Sequence, residues 1–588
     1  MGMTREDVLN IEAERITKII KFGDEEIECI YRKARKPMTK EELEAQEGPS
    51  RNTFAFAPAF NPRTFIAEEG ILCEQDVAVK MRDGITIYCD IYRPQYITGR
   101  IPAIISWSFF GKRPGDGQDE WRIMGVPTQT VSNMAKFESA DPAYWCRKGY
   151  AVVNVDPRGT GHSEGDLHLF GTQDGQDGYD FIEWLATQHW CGKIGLFGNS
   201  GVAMTQWRIA AEQPPHLACI APWEGTGDLY RESAWEGGIP AYAFMEGVVG
   251  FTTGENYIDD MVMMAVKYPK MNAYWEDKIP KFEKIRIPTY VTACWNHFHL
   301  RGSFEGFRKI RSPKKWMRAH REFEWPDTYS KEGLEELERF FDRYLKDIRN
   351  GWELTPRIRI EVQDAYDFDF QINRPEREWP LARTQYKKLY LDAAGMSMSF
   401  EPYGQEAKIS YDGQTGMACF DMPFAEDTEI TGHMKLRLFV EADGHDDMDL
   451  FINIQKLDED GNWLPISVLG EPHPGAWGKM RVSARELDPK LSTDYRPVQA
   501  HINTLKLSPG EIVPVDIEIW PTSRIWHKGQ QLRIQICGRY IRENWFERLE
   551  WDADNRGNHI IHTGGQYESF LQIPVIPPRY VAGDYVYR

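Results

Sequence analysis

The order of segments predicts an α/β fold, a doubly wound parallel sheet with a helical insertion, followed by an all-β sandwich. Three observations carry this reading. From Ile101 to His320, short apolar runs alternate with amphipathic helical stretches, the pattern of parallel strands joined by crossover helices. Between Gly225 and Lys284 the strand rhythm stops, and Met, Tyr, Trp and Phe recur at helical spacing. After about Gly351 the runs alternate apolar and polar and are broken by Gly, Pro and Asp, as in a two-sheet sandwich. At 588 residues the chain is also too long for a single core. The expected units are an N-terminal extension (1–72), an α/β domain (73–224 and 285–350), a cap (225–284) and a sandwich (351–588).

Residues up to about Ile71 are polar and interrupted by Pro and Gly, with a helix expected from Arg5 to Lys21 and an extended arm after it. Val77 to Tyr92 alternates on both sides of Asp83-Gly84, a hairpin signal. Ile101–Trp107 and Tyr150–Asp156 read as buried strands, and Gly178 to Trp190 as a helix. Leu217–Pro222, Pro288–Cys294 and Lys315–His320 read as further strands. Helices are expected near Gly302 to Lys309 and from Lys331 to Lys346. In the sandwich, Ile430–Val440, Asp449–Ile454 and Gln531–Ile536 are the clearest strands.

Composition excludes several partner classes. The net charge of −19 is spread along the chain and disfavours nucleic acid or an anionic membrane. No apolar stretch is long enough to span a bilayer, and no signal-peptide pattern opens the sequence. Nine scattered cysteines without a C-x-x-C pair fit reduced thiols in a cytoplasmic protein. A homo-oligomer is compatible with this composition.

Chemistry concentrates at Lys193-Ile-Gly-Leu-Phe-Gly198-Asn-Ser200-Gly201-Val202. An apolar strand, a turn of small residues and a helix put Ser200 on a nucleophile elbow. A serine hydroxyl needs a base within reach, and a sharp turn presents it. Gly198 and Gly201 leave room for the close backbone, while Val202 breaks the strict G-x-S-x-G pattern at its fifth position.

Several further runs, in order, resemble the cocaine esterase and X-Pro dipeptidyl-peptidase family of α/β-hydrolases. They are Asp156-Pro-Arg-Gly-Thr-Gly161-His-Ser163, Thr205-Gln-Trp207 and Ala221-Pro-Trp-Glu-Gly-Thr-Gly-Asp228. In the sandwich they are Thr428-Glu-Ile-Thr-Gly432, Arg485-Glu-Leu-Asp488 and Leu507-Ser-Pro-Gly510. The resemblance implies an α/β-hydrolase domain, a helical cap, a C-terminal jelly roll, and hydrolysis of esters or amides through an acyl-enzyme, without cofactor. It also implies Ser200 as nucleophile and His320, ending the last of these strands, as base. In the family an Asp follows two residues after a Trp on the preceding strand end. Here Trp295-Asn296-His297 puts His297 there, so Glu224 is the expected triad acid, ahead of Asp228, Glu324 and Asp327. The Gly201 amide is one expected oxyanion donor. The family's second donor, a Tyr hydroxyl, is replaced by Phe110, and Ser108 is the simplest substitute. Phe110, Trp107 and His297 are the expected substrate-pocket residues.

The leading reading is therefore a serine hydrolase acting on a small-molecule ester, lactone or activated amide. Because the usual Asp and Tyr are both missing, the alternative is a lyase or cyclase using His297, His299 or His320 for proton transfer. A non-catalytic binding module would leave Ser200 and His320 without a purpose. A metal site is not indicated, since His297 and His299 have no further ligand at recognisable spacing.

Overall fold

The structure, a computed structural model, describes residues 3–38, 42, 45, 59–113, 121, 124–127, 129–540 and 551–578. Its central sheet includes β1 Ile71–Lys80, β2 Thr86–Pro94, β3 Ile101–Trp107, β4 Ala151–Asp156, β5 Cys191–Asn199, β6 Leu217–Trp223, β7 Thr289–Cys294 and β8 Lys315–His320, with Arg63–Glu68 paired outside β1. Their spatial order is β1-β2-β4-β3-β5-β6-β7-β8. The pairs β1–β2 and β2–β4 are antiparallel, and every later pair is parallel. The expected hairpin forms with Lys80 opposite Thr86, and Gly84 takes the left-handed conformation its turn needs, at φ +93°.

The helices α1 (Thr172–Ala186), α2 (Ser200–Ala211), α3 (Leu300–Lys309), α4 (Glu324–Tyr329) and α5 (Lys331–Leu345) belong to the same domain. Parallel strands covered on both faces must be apolar throughout, and β4 and β7 are buried at every position. One core cluster joins Val153, Leu196, Ile209 and Phe181; another joins Val152, Phe197, Trp223 and Phe341.

The N-terminal expectation fails in an informative way. Only Arg5–Leu9 is helical, capped by Thr4. Arg15–Phe22 and Glu25–Lys33 instead form an antiparallel hairpin turning at Gly23, φ +60°. Alternation of Ile16, Lys18, Ile20 and Phe22 with a β-branched bias outweighs helical spacing here. The hairpin pairs through Tyr31–Lys33 with Tyr257–Asp259 of the insertion, so the segment is part of the fold. Residues 39–58 of the expected arm, apart from 42 and 45, lie outside the described residues. The insertion itself is helical at Tyr242–Phe251, Met261–Lys267 and Ala273–Asp277.

Beyond 350 the sheet takes one more strand, β9 (Ile358–Gln363), parallel to β8. The C-terminal part is a two-sheet sandwich. Thr428–Asp443 pairs with Val513–Trp526 on one side and with Asn558–Thr563 and Phe570–Ile576 on the other. In the second sheet Gln531–Cys537 lies between Met417–Pro423 and Asp449–Leu457. Between them lies an apolar core that includes Leu436, Ile452, Ile517, Ile534 and Ile573. Among the described residues, no helix is long and apolar enough to cross a membrane.

Candidate active site

The site lies at the C-terminal ends of β5 to β8, where an open parallel sheet leaves its ligand crevice. At the β5–α2 junction Ser200 has φ +49°, a left-handed conformation that a non-glycine residue holds only when its surroundings enforce it. They do so through packing. A Cβ on Gly198 would stand 2.2 Å from Val202 Cγ1, and one on Gly201 would stand 2.4 Å from Phe109 Cε1. Val202, the departure from the motif, fills the space that Gly198 leaves open. Ser200 is thereby fixed at the first turn of α2, whose amides have no intrahelical partner and favour negative charge.

The Ser200 hydroxyl donates to His299 Nε2 at 2.9 Å. This ring follows β7 at the N-cap of α3. With Nε2 accepting, Nδ1 carries the proton and donates to Thr226 Oγ1 at 2.5 Å. Thr226 lies just beyond β6. Burial holds His299 far below the ordinary histidine range, and neighbouring His297 adds to the effect. The imidazole is therefore neutral at every physiological pH.

His297 is not on a pocket surface. It is fully buried, accepts the His299 amide on Nδ1 at 3.0 Å, and donates from Nε2 to Glu324 Oε1 at 3.1 Å. Burial pushes it down to about 3, against the pull of Glu224. Its ring stacks on Phe298 and lies against Phe323. The residues beside it in sequence, Asn296 and Phe298, do line a cavity, shared with Phe244 of the insertion and Trp477, Trp520 and Trp551 of the sandwich.

The expected Ser200–His320 pair is not formed. His320 ends β8, three strands from β5, or about 14 Å at the usual strand spacing. Its Nε2 stands 3.0 Å from Glu224 Oε1 and 3.5 Å from Asp327 Oδ2. Burial would lower the His320 pKa, but Asp327 and Glu224 outweigh both burial and Arg318 and raise it. Glu224 also accepts the Cys294 amide on Oε2 at 2.7 Å. Glu224 and His320 are thus together, but as a buried ion pair bridging β6, β7 and β8, with His299 taking the place beside the serine.

Two further expectations shift. Trp107 is in the core, donating from Nε1 to Asp174 at 3.2 Å and lying edge-on to Phe181, because its side chain falls on the α1 face of the sheet. Ser108 Oγ accepts the Phe110 amide at 3.2 Å, bracing the turn after β3. Phe110 does line the site: its ring comes within 3.5 Å of a Cβ placed on Gly201. Sequence reasoning assigned no role to Thr226 and weighed His299 only for proton transfer. The available signal for both was position: Thr226 follows β6, the neighbour of β5, and His299 follows β7, the next strand along.

Together, fold and site define an α/β-hydrolase with a C-terminal jelly-roll sandwich. Residues 83–258 match X-Pro dipeptidyl-peptidase (S15 family), and residues 350–572 match the X-Pro dipeptidyl-peptidase C-terminal non-catalytic domain. A CocE/NonD family hydrolase from Staphylococcus aureus, known from a crystal structure, is 31% identical, with 97% of this chain and 98% of that chain covered at a TM-score of 0.81. The cocaine esterase of Rhodococcus sp. (strain MB1 Bresler) is 24% identical over 616 residues, covering 85% of this chain and 98% of the relative. An aminopeptidase from a marine sediment archaeon, Thaumarchaeota archaeon, is 14% identical with a TM-score of 0.66 over 89% of this chain and 99% of that chain, a likeness of fold alone. The chain belongs to the cocaine esterase and X-Pro dipeptidyl-peptidase (S15) family of hydrolases.

Proposed function

We propose that this hydrolase cleaves an ester, lactone or activated amide of a small molecule through an acyl-enzyme on Ser200, with His299 as general base. The observation that carries the reading is the 2.9 Å contact between a serine hydroxyl held at φ +49° and a neutral imidazole nitrogen. As Ser200 Oγ attacks the carbonyl carbon, its proton passes to His299 Nε2. Thr226 keeps Nδ1 protonated and the ring aimed, in the place a carboxylate holds in an ordinary triad. The first-turn amide of Gly201 and the α2 dipole receive the oxyanion. Collapse of the intermediate returns the proton from Nε2 to the leaving oxygen, and water repeats the sequence to release the acid.

A buried base without a carboxylate is weak, and the imidazolium it forms is a strong acid. This favours substrates whose carbonyl is already activated and whose leaving group needs little help. A fluorophosphonate is expected to label Ser200, and a p-nitrophenyl acyl ester to be hydrolysed. Ser200→Ala is expected to abolish both. Full turnover without labelling at Ser200 would discard the acyl-enzyme and leave histidine-based proton transfer.

A further inference from the structure

The connection between β3 and β4 brings a second titratable group to the nucleophile. Glu138 has left-handed backbone, φ +60°. Its carbonyl accepts the Asn199 amide at 3.1 Å and lies 2.7 Å from where a Cβ on Gly198 would stand. The segment is thus pinned to the elbow one residue from Ser200. The Trp325 indole donates to Glu138 Oε1 at 3.2 Å. Glu138 Oε2 is buried without a hydrogen-bond partner, and the Ser200 hydroxyl is near enough to draw the carboxyl's pKa downward. The preceding residue packs on the same site. Phe137 packs edge-on against Phe110 at 5.2 Å, and Phe110 covers Gly201. The segment that carries Glu138 thus borders the wall beside Gly201.

We propose that Glu138, as a carboxylic acid, is a catalytic residue that donates a hydrogen bond to the oxyanion formed on Ser200, beside the Gly201 amide. This rests on the serine-hydrolase reading above. A carboxylate at that place would repel the oxyanion, whereas an acid stabilises it without any bond to hydrogen breaking. The surroundings favour the acid. Burial, with Glu324 facing it, drives Glu138 well above the carboxylate range, and Trp325, Lys136 and Ser200 pull downward without offsetting this. Lys136 is a feeble counter-charge, since its own burial brings it down to about 7. Tyr329, which also faces Glu138, is held neutral by burial. The acid supplies the donor that Phe110 lacks.

The test compares Glu138→Gln, which keeps an N–H donor, with Glu138→Ala, which has none. With a p-nitrophenyl ester, Glu138→Ala is expected to lower kcat about 100-fold or more with little change in KM, and Glu138→Gln to stay within about tenfold of the parent. Activity of the unmodified protein should fall at high pH as the acid ionises, and that limb should vanish in Glu138→Gln. Should Glu138→Ala not fold, infrared difference spectra of the unmodified protein decide. Binding of a boronic acid should shift a protonated-carboxyl stretch that Glu138→Gln lacks. Equal kcat in Glu138→Ala, or no such band, overturns the role of Glu138 while fluorophosphonate labelling of Ser200 persists. Loss of that labelling in the unmodified protein overturns the parent reading, and this inference with it.

Discussion

Two histidines satisfy the chain order expected of a serine hydrolase, and the structure separates them by surroundings. His299 meets a hydroxyl on each ring nitrogen, whereas His320 meets two carboxylates. The first environment keeps a ring neutral and able to accept a proton; the second keeps it charged and makes it a brace. His299→Ala is therefore expected to lower kcat by about 10³-fold, within the range for a lost general base. His320→Ala should leave kcat within about tenfold but destabilise the fold by about 3–5 kcal/mol, because Glu224 is left buried without its counter-charge. Urea unfolding beside steady-state kinetics separates these effects. A folded His320→Ala protein as inactive as His299→Ala would reverse the assignment. The pH dependences also differ. His320 has a raised folded pKa, so its stabilisation is complete below the unfolded value and is lost as pH rises through the folded one. The stability gap to His320→Ala should narrow in alkali. His299, depressed by burial, should leave kcat/KM flat well below pH 6.5, where an ordinary histidine base begins to fail.

Among the elements, the strand–elbow–helix unit was the most legible in sequence because its determinants are local. An apolar run, Gly198, Ser200 and Gly201 lie within a dozen residues, and each does locally what its type suggests. The β1–β2 hairpin was legible for the same reason, its turn being written as Asp83-Gly84. The segment from Arg15 to Lys33 was not, since its hairpin is completed by strand Tyr257–Asp259, more than two hundred residues away. The imidazole that meets Ser200 was hidden for a similar reason. Which ring reaches Ser200 depends on how the chain turns between β7 and α3, and no spacing rule records that turn. Glu138 belongs to no motif, and only the backbone bond from Asn199 reveals its place. The elbow also yields a sharp expectation. A methyl group at position 198 meets Val202 Cβ at 2.6 Å and the Glu138 carbonyl at 2.7 Å, on backbone at φ +154°. Gly198→Ala should cost about 1–3 kcal/mol from overpacking and displace Ser200, lowering the rate of fluorophosphonate labelling more than it lowers Tm. Normal labelling with unchanged Tm would show that the elbow tolerates the bulk.

At the scale of the whole molecule, the hydrolase domain and sandwich share a sheet edge and a core. Strand β9 meets Val513–Trp526 at Gln363 and Arg524, and the cluster around Ile105, Leu196 and Val291 also takes in Trp379, Trp477 and Trp520. The ionic counterpart is Arg301, on the first turn of α3 two residues after His299. Its guanidinium is buried between Glu232 of the insertion, at 2.9 Å, and Glu518 of the sandwich, at 3.2 Å. Burial alone would weaken this cation, but Glu518 and Glu232 hold it firmly charged. One side chain thus ties three parts of the chain to the helix that begins at the imidazole beside Ser200. Arg301→Met keeps most of the side chain's length but removes the charge and its N–H donors, leaving two buried carboxylates without their shared cation. The expected loss is about 3–5 kcal/mol, read as a lower Tm. Because α3 is then free to shift, kcat should fall more than tenfold at temperatures where the variant is still folded, with thiol alkylation of the buried cysteines confirming that it is. Raising the temperature in steps should show activity lost before the global transition. A variant that loses stability but keeps its kcat up to the transition would show that the sandwich stabilises the hydrolase without positioning its base.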